Sequence, residues 1–388
     1  MTEVVIVSCV RSAVARGKAD GALASVHPID LSAAVMQAAL QRAGVDPAQV
    51  DDVQWGCAMP EASQGLNLAR LAWLRAGLPV DTSAATINRF CSSGLQAVAY
   101  GAQAIMAGHA DVVLTGGTEM MSQVPMSGYH TRLSPDITES YIGMGFTAER
   151  VAKQWGITRE MADDFAFASQ QNAGVALVNK TFAPEIVPIT VTHDAWQGAK
   201  RTVSEHMVET DECPRPGTTR EQMAALRPAF SAKGTVTAGN ASPFSDGASA
   251  VLVMSRAKAD ALGLKALARF VTFATAGVSP DIMGVGPIKA VPKALARAGI
   301  SLSDIQLIEF NEAFAVQALA VMNELGMDPA RTNVNGGAIA LGHPLGATGA
   351  KLTTQLVHEL KRRGGGYGMV TMCIGGGMGA AGIFEVYA

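Results

Sequence analysis

Ala39-Leu40-Gln41-Arg42-Ala43-Gly44 near the front of the chain and Ala294-Leu295-Ala296-Arg297-Ala298-Gly299 near its back decide the fold. Both read as the last turn of a helix closed by glycine, which tolerates the left-handed backbone that helix C-termini favour. After each comes a turn with one acid (Asp46, Asp304), then an apolar strand, 50–55 and 305–310, ending in Gly56-Cys57 and Asn311-Glu312. A second echo follows in the same order. Ser93-Gly94-Leu95-Gln96 and Thr348-Gly349-Ala350-Lys351 each open a long Ala-rich helix, and the apolar strands 112–117 and 369–377 each run into glycines. One short match is within chance in an Ala-rich protein, but three in one order mark a duplicated βαβ unit.

Working outward, 388 residues at 48% hydrophobic and 16% charged are enough for two globular domains with cores of their own. Apolar runs at 4–7, 112–114 and 307–310 suit buried parallel strands between Ala-rich helices, an α/β class. Only 5% of residues are aromatic and 41 are glycine, so helices and sheet should approach closely. Residues 119–240 break the pattern with Pro125, Pro135, Pro184, Pro188, Pro214, Pro216 and Pro228 and most of the charge clusters. They read as an inserted, loop-rich substrate region with helices at 147–155 and 160–179. The expected division is 1–118 with 241–265 as the first half, 119–240 as the insertion and 266–388 as the second half.

A net charge of −3 offers no basic face for a nucleic-acid backbone, so nucleic acid is not expected as a partner. The start, Met1-Thr2-Glu3-Val4-Val5-Ile6-Val7, has no basic leader region or cleavage site and reads as a buried strand. No apolar run reaches the roughly 18 residues of a membrane span. Cys9, Cys57, Cys91, Cys213 and Cys373 are an odd set without disulfide-scaffold or zinc spacing. A reducing cytoplasm and no metal are expected.

Four places carry the chemistry. Cys91 follows the turn Asn88-Arg89-Phe90 and precedes the helix that opens at Ser92-Ser93-Gly94. There, free N–H groups and the positive end of the helix would lower its thiol pKa, although a buried cysteine acting as a small hydrophobe is the commoner case. His343, in Gly342-His343-Pro344-Leu345-Gly346, is placed to act as base to a thiol or donor to an oxyanion; a loop histidine bonded within its loop reads equally well. Cys373 ends an apolar strand and meets Ile374-Gly375-Gly376-Gly377, whose N–H groups can face developing negative charge; an inert core thiol is the plain alternative. Asn311 closes the strand 307–310, where it could hold a water or a carbonyl, or simply cap the next helix with Glu312 favouring its dipole. All four fall at strand-to-helix or strand-to-turn junctions of the two related halves, so a doubly wound fold would bring them to one edge.

At these residues the sequence resembles the thiolase family, nearly end to end. The likeness rests on Asn88-Arg89-Phe90-Cys91-Ser92-Ser93-Gly94, Asn311-Glu312-Ala313-Phe314-Ala315, the stretch 335–349 and Met372-Cys373-Ile374-Gly375, four motifs in order. The resemblance implies a fold of two mixed five-stranded sheets in an αβαβα layered arrangement, with the insertion as a loop domain. It implies Cys91 as acylated nucleophile, His343 as its activator and a donor to the first oxyanion, and Asn311 as holder of a water there. Cys373 would be the acid/base at the acyl α-carbon, and the N–H groups of Cys91 and Gly375 the second oxyanion hole.

Coenzyme A is then a substrate, with no tightly bound cofactor. Arg215 and Ser242 are carried over as its contacts, with Ala238, Phe230, Met144 and Phe314 lining the pantetheine and acyl channel. A homodimer or homotetramer, and β-oxidation enzymes as partners, are implied in the same way. One departure is Gly143 before Met144, where short-chain biosynthetic thiolases carry histidine. It favours thiolysis of 3-oxoacyl-CoA in fatty-acid breakdown, with acetoacetyl-CoA synthesis as the alternative. A ketoacyl-carrier-protein synthase would not place a second cysteine at a catalytic position, and a non-enzymatic CoA binder would not need Cys91, His343 and Cys373 together.

Overall fold

Gly44 (φ 67°) closes the helix Pro28–Ala43 and Gly299 (φ 69°) closes Gly286–Ala298, each donating its N–H to a carbonyl of the last turn. The repeated hexapeptides are thus twin helix ends. The structure is a computed structural model and describes residues 2–125, 128–129, 132–198 and 200–388. In chain order the first elements are β1 (Val4–Ser12), β2 (Ala15–Arg16), α1 (Pro28–Ala43), β3 (Asp52–Gly56), α2 (Leu68–Arg75), β4 (Ser83–Ile87), α3 (Ser93–Met106) and β5 (Val112–Met120). Then come α4 (Met144–Trp155), α5 (Arg159–Val178), β6 (Ile186–Val187), β7 (Ile189–Gln197), β8 (Lys200–Val208) and α6 (Arg220–Ala224). The chain continues through β9 (Ser245–Ser255), α7 (Arg256–Ala261), β10 (Ala268–Gly277), α8 (Gly286–Ala298), β11 (Ile305–Phe310) and α9 (Ala315–Leu325). It ends with α10 (Ala338–Leu341), α11 (Leu345–Arg362), β12 (Gly366–Ile374) and β13 (Met378–Val386).

The strand order displays the duplication. One half runs β4-β3-β5-β9-β1, with β3 parallel to β4 and β5, and β9 antiparallel to both β5 and β1. The other runs β11-β12-β13-β10 with the matching directions. Outside β11 the fifth strand is reduced to one parallel bridge, Ile308 to Thr332. The two five-stranded sheets of the expectation are therefore five strands and four strands plus a bridge. They meet edge to edge where β1 pairs antiparallel with β10 at Val5–Arg269 and Ile6–Ala268.

Helices make the remaining layers. α1 and α2 cover the outer face of the first sheet, burying Leu31, Val35 and Met36 against Trp55, Leu114 and Leu252. α8 and α9 cover the second sheet, packing Ala290, Val291, Ala318 and Val321 on Ile305, Phe310 and Ile383. Between the sheets lie α3 and α11, whose Leu95, Val98, Leu352 and Leu356 share one core with Val113, Val251, Val370 and Phe384. Burial of this apolar area is the main stabilising term.

The inserted region is more regular than its prolines suggest. α4 and α5 fall on the expected helices, but β7–β8 form a hairpin that was not expected. Its signal is the period-two run Ile189-Thr190-Val191-Thr192, with Ile189 and Val191 buried and both threonines exposed. The region is pinned to β1 by buried Arg11, which donates to Glu185 (2.5 Å) and to both oxygens of Asp211 (2.7 and 2.9 Å).

α3 and α11 cross with their backbones in contact: a Cβ on Gly349 would lie 2.2 Å from the Leu95 nitrogen, and one on Gly94 2.8 Å from the Ala350 nitrogen. Gly349→Ala should therefore destabilise the protein by roughly 3 kcal/mol, the upper range for overpacking. Gly108→Ala, where an added methyl meets open space at φ 76°, should cost about 1 kcal/mol. Urea unfolding of both variants checks the order.

Candidate active site

The loop from β4 into α3 is built to present Cys91. Phe90 sits at φ 44°, an uncommon conformation for a bulky residue. It is held there by its N–H donating to Asn88 Oδ1 (2.8 Å) and its carbonyl accepting from Ser93 Oγ (2.6 Å). Cys91 follows in the single 3₁₀ turn Phe90–Ser92 and is half-buried. The N–H groups of Gly375 and of Cys91 itself face its sulfur.

His343 stands immediately before α11, buried, with its N–H donating to Ser245 Oγ (3.1 Å). Its Nδ1 lies 2.6 Å from Thr348 Oγ1, and that hydroxyl donates to the Pro344 carbonyl (3.1 Å). The threonine hydrogen being committed, Nδ1 carries the proton and Nε2 keeps a lone pair. Asn311 Nδ2 is 3.3 Å from that Nε2. Asn311 ends β11 fully buried, and its Oδ1 has no partner among the described residues, an open seat for a hydrogen-bond donor. Because α9 begins only at Ala315, Asn311 and Glu312 do not cap it. Glu312 instead accepts from Ser169 Oγ (2.8 Å), Asn333 Nδ2 (2.7 Å) and the Ile339 N–H (3.3 Å), fixing the loop that leads to His343.

Cys373 is the last but one residue of β12, fully buried beside Phe314, Met283 and Ile339. Burial first, and then the nearness of Cys91, push its thiol far above the ordinary range. Cys91 corrects the expectation of a lowered pKa: burial pushes its thiol up to about 11, and the Gly375 and Cys91 N–H groups only partly offset this. Glu119, close enough to act, also opposes the thiolate. Burial, with Lys351 adding to it, takes His343 down to about 3. At neutral pH the two groups therefore rest as thiol and neutral imidazole.

Met144, Phe230 and Phe314 gather around this centre. A Cβ on Gly375 would lie 3.8 Å from Met144 Sδ, and the Phe230 ring meets Phe314 edge-on at 6.4 Å and Phe146 at 6.0 Å. The loop of Ser242 is tied to the strand end, Ser242 N–H donating to the Ala313 carbonyl (3.0 Å) and Ala315 N–H to the Asn240 carbonyl (2.8 Å). Ala238 is exposed on that loop. Arg215 is exposed elsewhere, its backbone N–H held by Gln170 Oε1 (2.8 Å) and its guanidinium unpaired among the described residues. A cavity of about 890 Å³ beside Ile142, Phe146 and Phe230 touches none of Cys91, His343, Asn311 or Cys373.

The sequence reading missed Thr348 as orienter of the histidine, and Glu312 as its loop anchor. It also passed over Glu119, whose signal is a lone carboxylate inside the apolar, glycine-rich strand β5.

Two thiols, a neutral imidazole and an amide, drawn from both halves of a duplicated α/β fold, are groups suited to acyl transfer through a cysteine. Residues 4–257 match the family model for the thiolase N-terminal domain, and residues 264–386 that for the thiolase C-terminal domain. A 3-ketoacyl-CoA thiolase of Bacillus subtilis (strain 168) is 54% identical over 391 residues, covering 100% of both chains. An acetyl-CoA acetyltransferase of Pseudomonas aeruginosa is 48% identical over 98% of each chain. The crystal structure of human mitochondrial 3-ketoacyl-CoA thiolase superposes with a TM-score of 0.90 at 41% identity, covering 100% of this chain and 99% of that one. The chain belongs to the thiolase family and is an acyltransferase of that family.

Two outcomes follow from the geometry. Thr348→Val frees the imidazole to turn and to change tautomer, so turnover should fall on the order of 10²-fold while the thermal midpoint stays near wild type. Alkylation of Cys91 by iodoacetamide should accelerate steadily from pH 7 to 10 without a plateau near neutrality, since a thiol held at about 11 gains anion throughout that range.

Proposed function

We propose that this enzyme cleaves 3-oxoacyl-CoA with free coenzyme A to acyl-CoA and acetyl-CoA, by way of an acyl-Cys91 intermediate. The observation that carries the reading is His343 Nε2 standing 3.3 Å from Nδ2 of Asn311, whose Oδ1 has no partner among the described residues, with Cys91 and Cys373 close enough for their charges to interact. Nε2 takes the proton of Cys91 as the sulfur attacks the 3-keto carbon, whose oxygen meets the N–H groups of Cys91 and Gly375. The C2–C3 bond then breaks, leaving its electron pair on the acetyl-CoA enolate. Nε2–H, now a donor, and a water on Asn311 face the enolate oxygen, while Cys373 gives its proton to C2. The Cys373 thiolate takes the proton of the incoming CoA thiol, whose sulfur takes the acyl group while the departing Cys91 sulfur regains the proton held on Nε2, so the enzyme is restored and the kinetics are ping-pong.

Met144, Phe230 and Phe314 would line the channel for pantetheine and acyl chain, with Ser242 and Ala238 along its side. Arg215, an exposed cation without a partner among the described residues, suits a CoA phosphate. Breakdown of longer 3-oxoacyl chains is favoured over acetoacetyl-CoA synthesis by Gly143. A Cβ there would meet the Phe146 ring at 3.4 Å, so a larger side chain would take room beside the phenylalanines. The relatives carry both names, 3-ketoacyl-CoA thiolase and acetyl-CoA acetyltransferase.

Mass spectrometry of the enzyme quenched with 3-oxoacyl-CoA should locate the acyl group on Cys91, with none in Cys91→Ala. Cys373→Ala should still accept an acyl group from a saturated acyl-CoA yet lose thiolysis by at least 10³-fold. An acyl group on Cys373 would reverse the two roles, and thiolysis confined to acetoacetyl-CoA would return the synthetic reading.

A further inference from the structure

Among the buried carboxylates that the proposed chemistry leaves unused is Glu119. Glu119, near the end of β5 and 1% exposed, accepts from the N–H groups of Ala58 (2.8 Å), Met59 (3.2 Å) and Gly346 (2.8 Å) and from Gln64 Nε2 (2.7 Å). The Cys57 thiol lies 3.8 Å away. Among the described residues no cation pairs with it; burial raises its pKa, and N–H groups from both halves of the fold work against that shift.

Two of those partners lead to the reacting groups. Gly346 is in the first turn of α11, the turn whose Thr348 fixes the His343 ring, and its N–H is one of the helix donors with no partner inside the helix. Only glycine lets the carboxylate in, because a Cβ there would lie 2.9 Å from Glu119 Oε2 and 2.7 Å from the Cys57 Cα. On the other side the Ala58 carbonyl accepts from Asn88 Nδ2 (3.0 Å), and Asn88 Oδ1 accepts from the Phe90 N–H (2.8 Å). The hydrogen bonds thus run unbroken from the helix of His343, through Glu119, to the turn that presents Cys91.

We propose that Glu119 is a positioning residue that sets the placement of Cys91 relative to His343 by tying both turns to one buried carboxylate; this rests on the acyl-Cys91 reading. A glutamine there keeps the size but replaces one acceptor oxygen with an NH₂ group aimed at N–H donors. A misplacement of about 1 Å between reacting groups costs on the order of 10²-fold in rate. The contacts to coenzyme A are not part of the chain of bonds, so the loss belongs in kcat and not in KM.

The test combines Glu119→Gln, Asn88→Ala and the double variant in the full-length enzyme, read by thiolysis kinetics and by amide hydrogen exchange. Glu119→Gln should lose about 10²-fold in kcat with KM changed less than threefold. Asn88→Ala should lose about tenfold, and the double variant should fall within threefold of Glu119→Gln, because both cut one chain. In Glu119→Gln, exchange should quicken at least tenfold across 56–60, 88–92 and 343–348. A folded Glu119→Gln with kcat within threefold of wild type, losses that multiply, or unchanged exchange at 88–92 would overturn the proposal. Should Glu119→Gln not fold, Asn88→Ala decides, and wild-type kcat with unchanged exchange at 56–60 overturns it. Exchange needs no turnover, so a wild type without acyl-Cys91 overturns the reaction, while exchange at 56–60, 88–92 and 343–348 separately reads whether Glu119 ties the two turns.

Discussion

Two helix starts that touch backbone to backbone hold the site together. Gly94 on α3 and Gly349 on α11 are the same position of the repeated unit, and each abuts the backbone nitrogen next to the other. Any side chain at either glycine would push the helices apart by more than the packed core on both flanks allows. Because Cys91 precedes the first helix and His343 the second, this one contact sets the turn of Cys91 against the helix that follows His343. The edge pairing of β1 with β10 and the layer of α3 and α11 between the sheets serve the same juxtaposition.

Burial then sets the character of the chemistry. An exposed cysteine at a helix start beside histidine would rest as an ion pair. Here the packed surroundings raise the thiol and depress the imidazole, with Lys351 and Glu119 acting in the same directions. Charge separation is therefore costly until an electrophile arrives whose oxygen can receive the N–H groups of Gly375 and Cys91. In the proposed reaction this confines acylation to a site already filled by substrate.

Much of this was legible in the residues. The twin hexapeptides located two helix ends and revealed the duplication, and the cysteines, His343 and Asn311 were found because their types sit at junctions between elements. Local pattern could not reveal the sign of the Cys91 shift, since helix dipole and desolvation compete and only the packing says which wins. Nor could it show that Thr348 faces His343 across one helical turn, or that the fifth strand of the second half shrinks to Thr332. The β7–β8 hairpin was legible in its period-two run but was outweighed by the prolines around it. Arg215, Ser242 and Ala238 rested on resemblance, and their geometry records only exposure and loop ties.

The central claim is that the proton rests on the Cys91 sulfur and not on the imidazole. Nitrogen NMR of histidine-labelled enzyme at pH 7, with His343 assigned among the 7 histidines by a His343→Asn variant, tests it most directly. The account predicts a neutral ring with Nδ1 protonated and Nε2 bare; an imidazolium carrying both protons would contradict it.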